Sequence, residues 1–332
     1  QTPLRDLYIN TSLPFTLVRY LLSENKGAIN MKKRLMTVFL AICMLLACAG
    51  CAKNADSKIQ TKSSTSAKKA EITVAGSTAF EPLVKQAVKS YAQFNPSVKV
   101  NVLGGGSQAG LNQVDQGKVE IGTSDFFAAQ QNIVNRDHLS DYKVAVVGIA
   151  VVANQKLKVN NLSASQLKDI FSGKITNWKQ VGGKNQKITI VSRADGSGSR
   201  KAFELNVMGK TPIAAAEELS SNKHLEEYVA KTPGAIGYLA FPYLKDSKAL
   251  LKKIKIDNVT PTAEHVKDNS WKIWAYEHMY TRGMSRGEAS KFITYMLGED
   301  VQDGMLQKAG YISIHDMEVQ KDEHGAMVKT GN

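Results

Sequence analysis

Residues Ile190–Phe203 read I-V-S-R-A-D-G-S-G-S-R-K-A-F. A short β-branched run (Ile188, Ile190, Val191) ends in an Arg, an Asp and a Gly-Ser-Gly-Ser turn, after which the residues take helical spacing. A glycine turn lets backbone N–H groups converge, a following helix adds the positive end of its dipole, and hydroxyls add donors without net charge. The stretch has the composition of an anion site at the end of a strand. Taken alone it is equally a plain turn, with Ser197 or Ser199 capping a helix.

The same grammar occurs twice more upstream. Ile72-Thr-Val74 predicts a strand, Gly76-Ser-Thr-Ala-Phe-Glu-Pro82 a turn, and Leu83, Val84, Ala87, Val88 and Tyr91 a helix. Val98, Val100 and Val102 alternate as a second strand that runs into Gly104-Gly-Gly-Ser-Gln-Ala-Gly110 and a helix through Leu111 and Val114. Glu120-Ile-Gly-Thr-Ser-Asp125 closes a further short strand with an Asp at its carboxyl end, where ligands gather in open α/β sheets. Each copy alone fits a capped βα loop; their repetition is what argues for a site.

In this order, the motifs A-G-S-T, G-G-G-S-Q-A-G, G-T-S-D and S-R-A-D-G-S-G-S resemble the phosphate-binding proteins of bacterial phosphate ABC importers, within the periplasmic-binding-protein superfamily. The resemblance runs from about Glu71 to the C-terminus. It implies an α/β, two-lobed, type II periplasmic-binding-protein-like fold with a cleft between lobes and hinge crossovers. Lobe 1 is expected from residues 71–148 plus 246–332, and lobe 2 from 149–245. It also implies a monomer that binds inorganic phosphate without a cofactor and without catalysis, and delivers it to the membrane permease subunits of an importer with its ATPase. Carried over by position, the anion ligands fall on Thr78 and the Ala79 backbone, Ser107, Asp125, Arg193, Asp195, Ser197, Gly198 and Ser199. Ser199 stands where Thr is common and keeps the hydroxyl. Lys272-Ile-Trp-Ala-Tyr-Glu-His-Met-Tyr280 departs from the family in lacking Ser-Arg-Pro before its apolar strand.

The residue types suit that ligand. A small tetrahedral dianion that must be released needs many donors and little net positive charge, and Arg193 is the single cation in the set. Asp195 is expected to pair with Arg193 and orient it. Asp125 repels an anion unless the anion carries a proton to donate, which phosphate near neutral pH does and sulfate does not. An Asx turn or helix cap is the other reading of Asp125. Binding of another oxyanion, sulfate or molybdate, is the nearest rival function.

The formal charge of +13 suggests polyanion binding until it is located. Residues 71–332 carry 32 Lys and Arg against 27 Asp and Glu, so the globular part is only mildly basic, and no nucleic-acid partner is expected. The excess lies upstream. Met31-Lys-Lys-Arg34, the apolar run Leu35–Ala47 and Ala49-Gly50-Cys51 resemble a bacterial lipoprotein signal over residues 31–50, with Cys51 lipidated and Cys48 as the alternative. The apolar run is short of the ~18–20 residues a membrane span needs. Residues 1–30 read as a non-native upstream extension, because Asn25-Lys-Gly-Ala-Ile-Asn30 is what a purine-rich ribosome-binding site encodes in frame. Residues 51–70, rich in Ser, Thr, Lys and Ala, predict a flexible tether to a lipid anchor, and together these place the body outside the cytoplasm on a Gram-positive surface. All three cysteines (43, 48, 51) lie in the signal region, so the body has no disulfide.

Further along, Val144–Val152 predicts a buried parallel or crossover strand with Gly148 as hinge, and Ser163 opens a helix through Ile170. Pro233–Ala240 predicts a strand returning toward lobe 1, Phe292–Leu306 an amphipathic helix, and the tail after Asp316 is expected to fray. Enzyme readings fare poorly. Gly105-Gly-Ser-Gln-Ala109 lacks the second glycine of a nucleophile elbow, and Gly182-Gly-Lys-Asn185 lacks the hydroxyl residue of a P-loop. The six histidines show no metal-ligand spacing, and most sit among polar residues. A hydrolase or phosphatase on the same scaffold is the last alternative.

Overall fold

The computed structural model describes residues 69–130, 136–245, 247 and 251–329. The expected signal peptide, the tether up to residue 68, Cys48 and Cys51 lie outside them. The chain opens with β1 (Ala70–Gly76), α1 (Glu81–Phe94), β2 (Val98–Leu103), α2 (Ser107–Asp115) and β3 (Ile121–Ser124). It continues through β4 (Leu139–Asn154), β5 (Asn161–Leu162), α3 (Ala164–Phe171), β6 (Thr189–Arg193) and α4 (Gly198–Phe203). Next come β7 (Glu217–Leu219), α5 (Asn222–Lys231), β8 (Ala235–Ala240), α6 (Pro242–Lys245), β9 (Leu251–Lys253), β10 (Lys255–Ile256) and α7 (Ala263–Lys267). The last elements are β11 (Trp274–Arg282), α8 (Gly287–Met296), α9 (Glu299–Gln302), α10 (Leu306–Ala309), β12 (Val319–Lys321) and β13 (Met327–Lys329).

Local chemistry explains the main elements. Pro82 sits in the first turn of α1, where its missing N–H costs nothing, and Leu83, Ala87 and Tyr91 line the buried face four residues apart. Ser163 accepts from Gln166 N while the Gln166 side chain accepts from Ser163 N, a capping box that starts α3 where expected. Helix α2 lies flat on the sheet because its Gly110 has no side chain: a Cβ there would come within 2.6 Å of the Ala75 and Thr123 carbonyl oxygens.

Nine strands join in one sheet, in the order β2-β1-β3-β11-β4-β8-β6-β7, with β9 also paired to β4. Strand β4 is the shared member. Its first part pairs antiparallel with β11 as far as Trp274↔Gly148, and its second part pairs antiparallel with β8 from Ile149↔Ala240 onward. The partner changes at Gly148, where a Cβ would strike the Phe241 ring at 2.3 Å. Val144–Ala153 are buried without interruption, and of the two expected forms, parallel or crossover, β4 is the crossover, with antiparallel neighbours on both sides of Gly148. One large apolar core spans both halves of the sheet. Smaller cores lie under α2 (Leu111, Val114, Tyr280) and under α5 (Leu225, Val229, Leu239).

Past residue 246, where lobe 1 is expected to resume, β9 pairs with β4 and β10 with β5. Leu251, Ile254 and Ile256 supply the apolar positions of that edge. The predicted helix Phe292–Leu306 is α8 and α9, broken at Leu297–Gly298. The tail does not fray at Asp316: β12 and β13 form a hairpin, and Lys321 Nζ donates to Trp274 O at 2.8 Å.

Gly110→Ala is expected to lower stability by about 1–3 kcal/mol, since the added methyl meets backbone rather than a movable side chain. Urea unfolding of both proteins checks this, and equal midpoints would refute the packing argument.

Candidate functional site

The loops that follow the parallel strands β1, β2, β3 and β6, together with the start of α5, converge on one point. From the first half come Ser77 and Thr78 after β1, Ser107 at the start of α2, and Asp125 after β3. From the second half come Arg193 at the end of β6, Ser197, Gly198 and Ser199 at the start of α4, and Asn222 at the start of α5. The two sets touch. Ser199 Oγ donates to Asp125 Oδ2 at 3.2 Å, Arg193 Nη2 donates to Thr78 Oγ1 at 3.2 Å, and Gln108 N donates to Gly196 O at 3.1 Å.

Asp125 is 5% exposed. Its Oδ1 accepts from Ser77 Oγ and from Ser107 Oγ at 3.2 Å, and its backbone N–H donates to Ser107 Oγ at 2.9 Å. Burial pushes the carboxyl above its usual range, against the opposing pull of the three serine hydroxyls and the Arg193 charge. Arg193 is 1% exposed. Its Nε donates to Leu219 O and its Nη2 to Ser220 O, both at 3.0 Å, which fixes the fork against the second half. Nη1 is buried and has no hydrogen-bond partner among the described residues. A buried guanidinium N–H without an acceptor is costly, which leaves Nη1 free to donate to an acceptor brought into the cleft.

Most of the expected residues assemble, and two of them also make bonds within their own half. Ser197 caps α4 by accepting from Arg200 N at 3.3 Å. The Ala79 amide donates to Ser77 Oγ at 3.0 Å, while Tyr311 OH donates to Ala79 O at 2.5 Å. At Gly198 the halves approach closely: a Cβ would lie 2.3 Å from Asp125 Cβ and 2.4 Å from Ser107 Oγ. Asp195 is a correction. It is exposed and makes no ion pair with Arg193, because the backbone carbonyls of Leu219 and Ser220 already hold the guanidinium.

Several contributors were not anticipated. Asn222 is fully buried; its Nδ2 donates to Thr78 Oγ1 at 3.2 Å and its Oδ1 accepts from Ala240 N at 3.0 Å. Tyr243 OH donates to Thr78 O at 2.7 Å. Arg200 Nη1 donates to Arg193 O at 3.0 Å and to Glu218 Oε1 at 2.7 Å, bracing the end of β6. Tyr238 OH accepts from Arg193 N at 3.3 Å, and burial pushes its phenol up to about 12. Asn222 and Tyr243 follow no glycine turn, so the motif grammar passes over them.

A cavity of about 160 Å³ adjoins Asp125, lined by Phe127, Lys201, Trp274, Tyr276 and Lys321. Lys321 lies 3.8 Å over the Trp274 ring, and burial draws its amine down to about 7. His278 is fully buried against Asp141 at 2.8 Å, unlike the surface histidines the sequence suggests. Among the described residues, no cluster of His, Cys, Asp and Glu is placed to hold a metal ion.

The fold is that of a two-lobed substrate-binding protein, and residues 61–300 match the PBP superfamily domain. The phosphate-binding protein PstS of Bacillus subtilis is 40% identical over 301 residues, covering 89% of this chain and 98% of its own. The PstS of Staphylococcus aureus (strain USA300) is 28% identical, with coverage of 72% and 76%. A structure from Clostridium perfringens, assigned as a phosphate ABC transporter substrate-binding protein and holding phosphate, superposes with a TM-score of 0.69 at 28% identity, over 74% of this chain and 99% of that one. An ABC-type phosphate transport receptor from Vibrio cholerae gives 0.59 at 29% identity, over 73% and 99%. The chain belongs to the PBP superfamily and, within it, to the PstS family of phosphate-binding proteins.

Gly198→Ala is expected to hold the lobes apart. The Gln108 amide, bonded across the cleft to Gly196 O, should then lose about tenfold or more of its hydrogen-exchange protection. Unchanged protection would show that the close approach at Gly198 is not what limits closure.

Proposed function

We propose that this protein binds inorganic phosphate outside the membrane with high affinity and hands it to the permease of a phosphate ABC importer. The observation that carries the reading is the pairing of two buried opposite charges across the cleft. Arg193 keeps one N–H without a partner, and Asp125 faces it from the other lobe among serine hydroxyls. Arg193 attracts any oxyanion; Asp125 admits one that brings a proton, and so favours phosphate over sulfate. The phosphate ligands we infer are Thr78, the Ala79 backbone, Ser107, Asp125, Arg193, Ser197, Gly198 and Ser199. The names of the relatives support the ligand, and their family is one of binding proteins rather than enzymes.

The division into lobes follows the strand pairing. We place lobe 1 at residues 71–148 and from β11 onward, and lobe 2 at 149 to about 273, with Gly148 at one crossover. We also propose a partner ATPase, anchoring through lipidated Cys51 (or Cys48) and a Gram-positive surface location, supported by the signal-like N-terminus and the family resemblance.

Calorimetry with phosphate and sulfate tests the reading. Asp125→Asn should narrow the preference for phosphate by about one to two decades, because a hydrogen bond to a charged group is worth about 1.5–3 kcal/mol. Arg193→Ala should weaken both ligands. Equal affinity of the wild type for the two anions would transfer the protein to the general oxyanion binders; absence of binding to either would remove the proposal.

A further inference from the structure

Strand β11 pairs antiparallel with β3, with His278 opposite Ser124. The next position beyond that ladder sets Glu277 beside Asp125. Between Glu277 and His278 the register of β11 against β4 shifts, a bulge of the kind that re-aims a side chain. Glu277 is 0% exposed, and neither of its carboxyl oxygens meets a donor in ordinary hydrogen-bond geometry among the described residues, while Asp125 and the Ser77 hydroxyl lie close enough to act on its protonation. Asp125, next to it, has hydroxyl donors from Ser77, Ser107 and Ser199 and faces Arg193.

The groups around Glu277 come from four elements. Asp125 and the Ser77 hydroxyl lie on one side, and the phenols of Tyr243 on α6 and Tyr311 after α10 are its other titratable neighbours. On β11 itself, Tyr276 carries Lys143 of β4 at 5.1 Å over its ring, and His278 is held by Asp141. No ion pair joins Glu277 to a cation among the described residues. Two adjoining buried carboxyls with one cation nearby cannot both ionise cheaply, which favours a state in which one of them keeps a proton. The donors decide which group keeps it. Burial first, and then the Asp125 charge, raise the Glu277 carboxyl well above its ordinary range.

We propose that Glu277 is a positioning residue that holds the shared proton of the Glu277–Asp125 pair, keeps the negative charge on Asp125, and sets the alkaline limit of anion binding. This rests on the phosphate reading of the cleft. The sign follows from the direction of the shift. A raised acid stays neutral to higher pH than an ordinary carboxyl and becomes charged as pH rises through its folded value, which places a second negative charge behind Asp125 and weakens anion binding.

The first measurement needs no ligand. NMR of protein carrying labelled glutamate carboxyl carbons, with Glu277 assigned by its loss in Glu277→Gln, should show Glu277 protonated at neutral pH. In Asp125→Asn its titration should move downward. An ionised Glu277 at neutral pH, or a titration indifferent to Asp125→Asn, overturns the proposal. Should Glu277→Gln not fold, Glu277→Asp supplies the assignment. The second measurement is phosphate affinity by calorimetry. The ratio of Glu277→Gln to wild-type affinity should rise about tenfold or more between about pH 6 and about pH 9, since the ligand's own titration is common to both proteins. A flat ratio refutes control by Glu277. Failure of the wild type to bind phosphate at any pH sinks the reading of the cleft instead, and leaves the NMR titration to decide Glu277.

Discussion

Charge taken out of water between two lobes is the condition on which this structure depends. Arg193 and Asp125 are almost wholly enclosed, and either alone would be costly to bury. The fold meets that cost with neutral groups. Carbonyls of Leu219 and Ser220 hold the guanidinium, three serine hydroxyls hold the carboxylate, and Asn222 and Tyr243 tie Thr78 between them. A site built this way presents many donors and little net charge. That suits a ligand which must be gripped and then released, because the grip is spread over bonds that break in sequence as the lobes part.

The cleft was legible from the sequence because glycine turns leave a mark. Each wall contributes a strand, a turn of Gly, Ser and Thr, and a helix, and four of these stretches locate Thr78, Ser107, Asp125 and the Arg193–Ser199 segment. What was hidden comes from outside such turns. Asn222 and Tyr243 reach the site through tertiary packing, with an ordinary helix start and a Pro-Tyr pair as their only local marks. Asp195 was misassigned for a related reason: its proximity to Arg193 in sequence says nothing of the carbonyls that compete for the guanidinium. Glu277 did leave a trace, a lone acid within W-A-Y-E-H-M-Y, an otherwise buried strand.

The fold was legible to the level of class, and less so in its joints. Continuous burial of Val144–Ala153 is compatible with parallel or antiparallel neighbours, since both faces of the strand are covered in either case. The pairing of residues 251–256 was not legible, because a strand of only two or three residues carries too little pattern to name its partner.

The central position of β11 also has a consequence for the order in which the molecule can be built. Strands β3 and β4 are neighbours in sequence but not in the sheet; β11, more than a hundred residues later, lies between them. A chain emerging from its N-terminus therefore exposes two unpaired strand edges, both buried in the finished sheet, until residues 274–282 arrive. The first lobe cannot close as an independent early unit, and the second can assemble before it. Late insertion of a central strand is a contact of high sequence separation, which favours slow folding and a need for protection of the waiting edges.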